Sequence, residues 1–125
     1  MSQDVVADAL NEIMNIKRAG KNELEVDRYS GFLVDVLKVA KNRGYIDYSL
    51  DEKNKKLKIK IIRLNKCLAI KPRFNVSIDK LERYIRRFLP ARGFGIIIIS
   101  TSAGLLTQEE AYEKNIGGSL IAYFY

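Results

Sequence analysis

Apolar residues in the first third of the chain recur at the three- and four-residue spacing of amphipathic helices. The first stripe predicts a helix that Ser2 or Asp4 can cap and that ends at Gly20. A second stripe predicts a helix that Asp27 or Ser30 can cap. The apolar positions are Val6, Ala9, Leu10, Ile13 and Met14 in the first stripe and Leu33, Val36, Leu37 and Ala40 in the second. Two helices are therefore expected before residue 45.

Shorter alternating patterns predict strands around these helices. Residues 24–26 alternate between the two helices, and residues 45–50 follow the second one. Residues 56–61 alternate strictly, so their three lysines are expected to face solvent and their apolar residues the core. Such a lysine row is more typical of a solvated or edge-protecting strand than of a binding surface. Residues 1–65 are therefore predicted to form an N-terminal α-β-α-β-β domain.

The second half of the chain predicts a mostly β domain that also carries helices, covering residues 66–125. A third helix is expected to begin at Ser77, with an apolar stripe, and to end before Pro90. The predicted strands are residues 67–70, 96–99, 104–106 and 119–125. The last strand is expected to be internal to a sheet because it is apolar almost throughout. The predicted fold class is α+β, with two small domains.

Two local sequence signals near the end of the chain predict a helix start and a turn. Thr107 is expected to cap a short fourth helix that extends to Asn115, and Glu110 completes a capping box. Gly117-Gly118 is predicted to be a tight turn before the last strand.

Four isoleucines in a row, Ile96 to Ile99, predict a strand buried on both faces, and this strand runs into three hydroxyl side chains. Ser100, Thr101 and Ser102 can contact phosphate, sugar or base edges, because a hydroxyl both donates and accepts. Gly104 leaves room for a partner's backbone. The same residues are typical of a simple turn between two strands, and the local pattern alone favours that turn.

Basic residues are concentrated in the middle of the chain. Its 125 residues include 22 Lys/Arg and 15 Asp/Glu, a net charge of +7. From Lys53 to Arg92 there are 14 Lys/Arg and two Asp/Glu, a net of +12. This distribution favours one basic face and a polyanionic partner.

Several classes of protein are disfavoured by composition. There is no His, and Cys67 is the single cysteine, which excludes disulfides within the chain and Cys/His zinc sites. Cys67 is typical of a small core residue. The longest purely apolar run is far shorter than the ~20 residues of a membrane span, and Asp4 and Asp8 interrupt any signal peptide. We therefore expect no metal, no cofactor and no membrane partner, and a single cysteine fits a reducing compartment.

No arrangement of acid, base and nucleophile indicates catalysis. No paired carboxylates stand at the ends of predicted strands, and the hydroxyls of residues 100–102 have no obvious base. A weaker alternative is a phosphate-binding enzyme, in which the hydroxyl loop and the helix start at Thr107 hold a phosphate together. We expect no enzyme and no small-molecule substrate.

Several short motifs resemble the small-subunit ribosomal protein eight family, closest to its archaeal and eukaryotic branch. In the last third they are Leu89-Pro90-Ala91-Arg92, Phe94-Gly95, Ile99-Ser100-Thr101-Ser102, Gly104, Thr107, Ile116-Gly117-Gly118 and Ala122-Tyr123-Phe124-Tyr125. Earlier pieces are Asp8-Ala9-Leu10, Val36-Leu37-Lys38, Asn65-Lys66-Cys67 and Ala69-Ile70-Lys71-Pro72-Arg73. Together the pieces cover essentially the whole chain, and their combination is highly specific.

The resemblance implies a structural protein of the small ribosomal subunit, located in the cytoplasm. Such a protein binds directly to the central domain of small-subunit ribosomal RNA, helps it assemble and lies beside other ribosomal proteins. The hydroxyl loop is then the principal contact, and basic residues neutralise phosphates. The residues expected to bind RNA are Ser100, Thr101, Ser102, Gly104, Gly117, Gly118, Ser119, Lys17, Arg18, Ser30, Lys71, Arg73 and Arg92.

Two positions depart from the family's pattern. Many relatives have a lysine after the serine that begins the second helix, whereas Ser30 is followed here by Gly31, and Lys38 or Arg28 can compensate. Relatives often have a charged residue where this chain has Ser119. A regulator that binds messenger RNA imitating the ribosomal site would use the same residues, so the sequence leaves that alternative open.

Overall fold

The structure, a computed structural model, describes residues 5–27, 29–71, 73–91 and 93–125. The candidate caps Ser2 and Asp4, the compensating cation Arg28 and the expected RNA contact Arg92 lie outside the described residues. Helices and sheets are both present, so the α+β class is confirmed. The chain divides into two compact units, residues 1–67 and 68–125.

The first unit contains two helices and a three-stranded antiparallel sheet. Its elements are α1 Val5–Arg18, β1 Glu23–Val26, α2 Gly31–Asn42, β2 Ile46–Asp51 and β3 Lys56–Ile61. The strand order is β1-β3-β2, so β3 has a neighbour on each side. The strict alternation of β3 is confirmed, since Leu57 and Ile59 are buried while Lys56, Lys58 and Lys60 are exposed.

The boundaries of α1 and α2 follow local signals. Ser30, and not Asp27, caps α2, because the Leu33 N–H donates to Ser30 Oγ at 3.1 Å. After α1, Gly20 adopts a φ of +79°, a left-handed conformation that ends a helix.

Cys67 is a core residue, as predicted. Its side chain is fully buried, and Sγ lies 3.8 Å from the Leu10 carbonyl oxygen. Burial raises the pKa of the Cys67 thiol to about 12, so the neutral thiol persists at physiological pH.

The second unit is built around one central strand. Its elements are β4 Cys67–Ala69, β5 Asn75–Val76, α3 Leu81–Phe88, β6 Ile96–Thr101, β7 Gly104–Thr107, α4 Gln108–Lys114 and β8 Gly118–Phe124. The strand β8 pairs with β6, β4 and β5, and β7 lies beyond β6. The last strand is therefore internal, as its apolar composition predicted, whereas the two-residue β5 was not predicted.

The core of the second unit lies on one face of this sheet. Ile97, Ile99 and Tyr123 cluster there with Leu81 of α3 and Ala111 of α4. The four isoleucines of β6 are at most 4% exposed, which confirms a fully buried strand. None of the described helices has the length and apolar character that a membrane crossing requires.

The third helix differs from its prediction. A short 3-10 turn, Ile78–Lys80, precedes α3, and within α3 only Leu81 is fully buried. Ser77 makes no capping hydrogen bond to the backbone. Its hydroxyl bonds instead to Asp79 and holds the pKa of that carboxyl below its ordinary value. The Ser77 hydroxyl is thus bonded to a side chain, and the regular helix begins at Leu81, three residues later than a cap at Ser77 predicts.

Candidate functional site

The hydroxyl loop is the tip of a β-hairpin. The strands β6 and β7 pair as far as Thr101 and Gly104, and Ser102-Ala103 connects them. Gly104 has a φ of +103°, which a residue with a side chain adopts only under strain. Ser102, Ala103 and Gly104 are exposed. The loop is therefore a turn between two strands, and its exposed tip keeps it available as a recognition site.

Thr101 uses its hydroxyl within the turn. Its Oγ1 donates to the Gly104 carbonyl at 2.8 Å and accepts the Ala103 N–H at 3.0 Å. Because a hydroxyl has one proton, the Thr101 side chain has no proton left to donate to a partner. Among the described residues, no hydrogen bond is recorded for the hydroxyls of Ser100 and Ser102. The three hydroxyls are therefore not equivalent.

The hydroxyls also point in different directions. Successive residues of a strand project to opposite faces of its sheet, so Ser100 and Thr101 cannot share one face. Ser100 lies directly opposite Ser119 of β8, on the face away from Ile99. Ser102 lies at the exposed end of the hairpin. A ligand that contacts both Ser100 and Ser102 would bind at the tip of the hairpin and on the sheet face that carries Ser100 and Ser119.

The prediction of a tight turn at Gly117-Gly118 is wrong. The reversal occurs at Asn115, whose φ of +56° ends α4, and Gly118 is already part of β8. A Cβ on Gly118 would collide with the Ser100 carbonyl oxygen and lie 3.0 Å from Thr101 Cγ2. A Cβ on Gly117 would collide with the Val76 carbonyl oxygen. Glycine is needed at both positions because the backbone of Val76 lies against Gly117 and the backbone of Ser100 lies against Gly118.

Gln108, which the sequence reasoning missed, fixes the base of the hairpin. Its side chain is buried, with Oε1 accepting the Ile97 N–H at 2.9 Å and Nε2 donating to the Gly95 carbonyl at 3.0 Å. Both polar groups of the amide are thus satisfied. Glutamine in a helix's first turn is ordinarily solvated, so no local pattern indicated this role.

The capping box at the start of α4 is confirmed. Glu110 Oε1 accepts the Thr107 N–H at 3.2 Å, and the Glu110 N–H donates to Thr107 Oγ1 at 3.4 Å. A carboxylate therefore already occupies the helix start, and Thr107 is fully buried. This arrangement opposes the phosphate-binding alternative, because a bound phosphate would meet like charge.

The predicted cations occupy separate places. Lys17 and Arg18 end α1 in the first unit, where Arg18 Nη1 donates to Asn15 Oδ1 at 3.3 Å. Lys71 and Arg73 are exposed in the second unit, between β4 and β5. Ser30, also in the first unit, already accepts a capping hydrogen bond. The structure thus gathers residues 100–104 and 117–119 in one unit and divides the other candidates between the two units.

The lysine row of β3 does not form a basic face. Lys60 lies opposite Glu23 on one side and Asp47 on the other, and Lys58 lies opposite Glu25. Lys56 Nζ lies 3.0 Å from Glu25 Oε1, which raises the pKa of Lys56. We call this surface the charged face; its members are Glu23, Glu25, Asp47, Asp51, Lys56, Lys58 and Lys60. It holds four carboxylates and three lysines, so the lysine row belongs to a solvated face of mixed charge and not to the basic face expected for the middle of the chain. The expectation of an edge-protecting strand is wrong, because β3 has a neighbour on each side.

Residues 4–125 match the sequence model of the family described as ribosomal protein S8. The chain belongs to this family. It is 41% identical to small ribosomal subunit protein uS8 of Methanococcoides burtonii, over 98% of this chain and 97% of that protein. The protein of the same name from Nanoarchaeum equitans is also 41% identical, over the full length of both chains. That of Eremothecium gossypii is 39% identical, over 97% of this chain and 96% of that protein.

These matches confirm the resemblance that the motifs indicated, since the relatives include archaeal and eukaryotic proteins. The family consists of structural, non-enzymatic ribosomal proteins. The chain is therefore a structural protein of the small ribosomal subunit and not an enzyme.

Proposed function

We propose that this protein binds the central domain of small-subunit ribosomal RNA directly and helps it fold, in a cytoplasmic subunit and beside other ribosomal proteins. The observation that carries the proposal is the hairpin tip. Ser100 and Ser102 have hydroxyls without a recorded partner in the described chain, on a turn that Thr101 holds in place. A rigid scaffold that presents unpaired polar groups is suited to recognition.

Hydroxyl groups suit a particular kind of RNA. Regular A-form helices hide their base edges in a deep, narrow groove, so specific proteins contact loops, bulges and distorted regions. A hydroxyl can bond to a 2′-OH, a base edge or a phosphate, and it carries no charge that would attract every RNA backbone. The proposed ligand is therefore an irregular region of the RNA.

The residues have different roles in this proposal. Ser100 and Ser102 contact the RNA. Thr101 and Gly104 shape the turn, and Gly118 lets β8 approach the Ser100 backbone. Binding by Thr101 would use its remaining acceptor capacity or its backbone, since its proton is committed to Gly104.

The cations supply affinity that does not depend on sequence. Lys17, Arg18, Lys71, Arg73 and Arg92 would neutralise phosphates and release counterions, so binding weakens as salt rises. Ser119 lies opposite Ser100 of the hairpin, Gly117 lies against the backbone of Val76, and Ser30 would be a further backbone contact.

A binding titration tests the proposal. Wild-type protein is titrated against a transcript of the ribosomal RNA central domain and against a scrambled duplex of equal length, each at several salt concentrations. We expect a preference for the native fragment that persists at raised salt, and loss of that preference in Ser102→Ala. Equal, steeply salt-dependent binding to both RNAs would refute site-specific recognition.

A further inference from the structure

The register of the second sheet aligns polar residues that are distant in sequence. Ser119 of β8 lies directly opposite Ser100 on one side and Asn75 of β5 on the other. Directly opposed residues of antiparallel strands project to the same face. We call Asn75, Ser119 and Ser100 the amide–hydroxyl row; it crosses three neighbouring strands and spans about 10 Å at ordinary strand spacing.

The opposite face of the same strands is apolar. Val76, Leu120 and Ile99, the neighbours of these three residues along their strands, all belong to the buried core. Asn75 is exposed, whereas Ser119 and Ser100 are half-buried. Within the described residues no side-chain partner is recorded for any member of the row. The row is therefore an accessible line of unpaired hydrogen-bonding groups.

The tertiary structure creates this row through Gly117. A Cβ at that position would collide with the Val76 carbonyl oxygen and lie 2.9 Å from Ser77 Cα. Glycine thus lets the short strand β5 approach β8 closely enough for Asn75 to pair with Ser119.

We propose that Asn75 contacts the edge of an unpaired base in the RNA, next to the backbone that Ser100 and Ser119 bind. This inference rests on the proposed function. A side-chain amide presents a donor and an acceptor together, which complements the edge of a base. It carries no charge, so it adds little affinity for phosphates of arbitrary sequence. Asn75 thereby becomes a specificity-determining residue outside the hairpin.

An abasic scan of the RNA tests this role. In the central-domain transcript, one unpaired nucleotide at a time loses its base but keeps its ribose and phosphate. At one position we expect the missing base to weaken wild-type binding about tenfold, as for one amide–base pair. Asn75→Ala should weaken binding to the intact transcript equally, and at that position the missing base should cost the variant nothing more.

Two variants complete the experiment. Asn42→Ala removes an exposed asparagine at the end of α2 and should bind every transcript as wild type does. Asn75→Asp keeps the shape but loses the donor, and should be at least as weak as Asn75→Ala. For Asn75→Ala, which changes no charge, we expect unchanged affinity for the scrambled duplex and an unchanged salt dependence. Asn75→Asp also adds a negative charge, so it should bind every RNA somewhat more weakly.

Three results would overturn the inference. They are wild-type affinity in Asn75→Ala, equal abasic costs in variant and wild type at every position, and a loss that is equal on the scrambled duplex. In the first two cases the proposed function survives if wild type still prefers the native transcript. If wild type shows no preference, the proposed function fails, and the inference fails with it.

Discussion

On the charged face of the first unit, acidic and basic side chains balance one another. The amide–hydroxyl row of the second unit has no charge, and its side chains have no recorded partner in the described chain. On the charged face, Lys58 and Lys60 each lie between acidic or polar residues of β1 and β2. Lys56 lies opposite Asp51 of β2 and forms an ion pair with Glu25 of β1. In the row, Asn75 is exposed and Ser119 and Ser100 are half-buried, and all three have free hydrogen-bonding capacity among the described residues.

This difference shows that the density of basic residues along a sequence does not by itself predict a basic surface. Strand pairing places the acids of β1 and β2 against the lysines, which reduces the net field available to a polyanion. Surface ion pairs of this kind contribute little to stability, with a median of about 0–1 kcal/mol. Unpaired groups held in register keep their hydrogen-bonding capacity for a ligand, and the proposed RNA contacts rest on such groups.

The largest expected effect is on stability and concerns the close packing of Gly118 against the backbone of Ser100. Gly118→Val should reduce the free energy of unfolding by about 3 kcal/mol, since its Cβ would collide with the Ser100 backbone. Urea denaturation measures this effect. Gly31→Ala is the matched control, because a Cβ there meets nothing within 4 Å. An equal loss in both variants would show that close approach is not the reason for Gly118.

The next effect separates the roles of the three hydroxyls. Thr101→Val should reduce the free energy of unfolding by about 1–2 kcal/mol, because it leaves the Gly104 carbonyl and the Ala103 N–H without their bonds. Thr101→Ser retains the hydroxyl and should recover most of that loss. Ser102→Ala should leave stability unchanged and reduce only the preference for native RNA. If Ser102→Ala destabilised the fold as strongly as Thr101→Val, this division of roles would be wrong.

A smaller effect compares two cations of the first unit. Arg18→Gln should lower the slope of log affinity against log salt by about one, as expected for one lost phosphate contact. Lys60→Gln should leave the slope unchanged, because Lys60 lies between Glu23 and Asp47. Titration of the central-domain transcript between low and physiological salt measures both slopes. A reversed order would place the RNA on the charged face.

The smallest effect is a pH dependence at the edge of the charged face. A hydrogen bond from Lys41, with Nζ 3.1 Å from Asp47 Oδ1, holds the pKa of Asp47 below its ordinary value. The charged carboxylate therefore contributes to the free energy of unfolding above about pH 4, the ordinary pKa of an aspartate. This contribution is lost as the pH falls through the lower pKa of the folded state.

Melting temperatures measured between pH 2 and pH 5 test this point. The decrease in melting temperature from pH 5 to pH 2 should be slightly smaller in Asp47→Asn than in wild type. Glu52→Gln, in the adjacent hairpin turn, controls for the loss of one negative charge. If Glu52→Gln reduced the acid sensitivity as much as Asp47→Asn does, the hydrogen bond from Lys41 would not be its source.

Local signals were sufficient where a side chain interacts with backbone a few residues away. The cap at Ser30 and the capping box at Thr107 and Glu110 are such cases, and both are confirmed. The buried run of isoleucines was equally readable, because a strand without polar positions must lie inside a sheet. The motif resemblance predicts an RNA contact at the hairpin, which the local pattern alone treated as a simple turn, and that contact stays a prediction.

Local sequence patterns failed to predict the role of a residue where its structural partner is distant in sequence. Gly117-Gly118 suggested a turn, but the two glycines accommodate backbone from Val76 and Ser100, far away along the chain. Gln108 had no helical pattern to show that it would bond to Gly95 and Ile97. A two-residue strand such as β5 is too short for any alternation to be detected.

The sequence by itself determined the α+β class, the main helices and strands, and the family, because periodicity, caps and motifs are carried by neighbouring residues. Only the tertiary structure decided which polar groups remain available. Strand pairing balanced the lysines of β3 with acids, committed the Thr101 hydroxyl to its own turn and brought Asn75 into line with Ser119 and Ser100. Hydrogen bonding and charge pairing depend on register between distant segments, and register is fixed only when the sheets form.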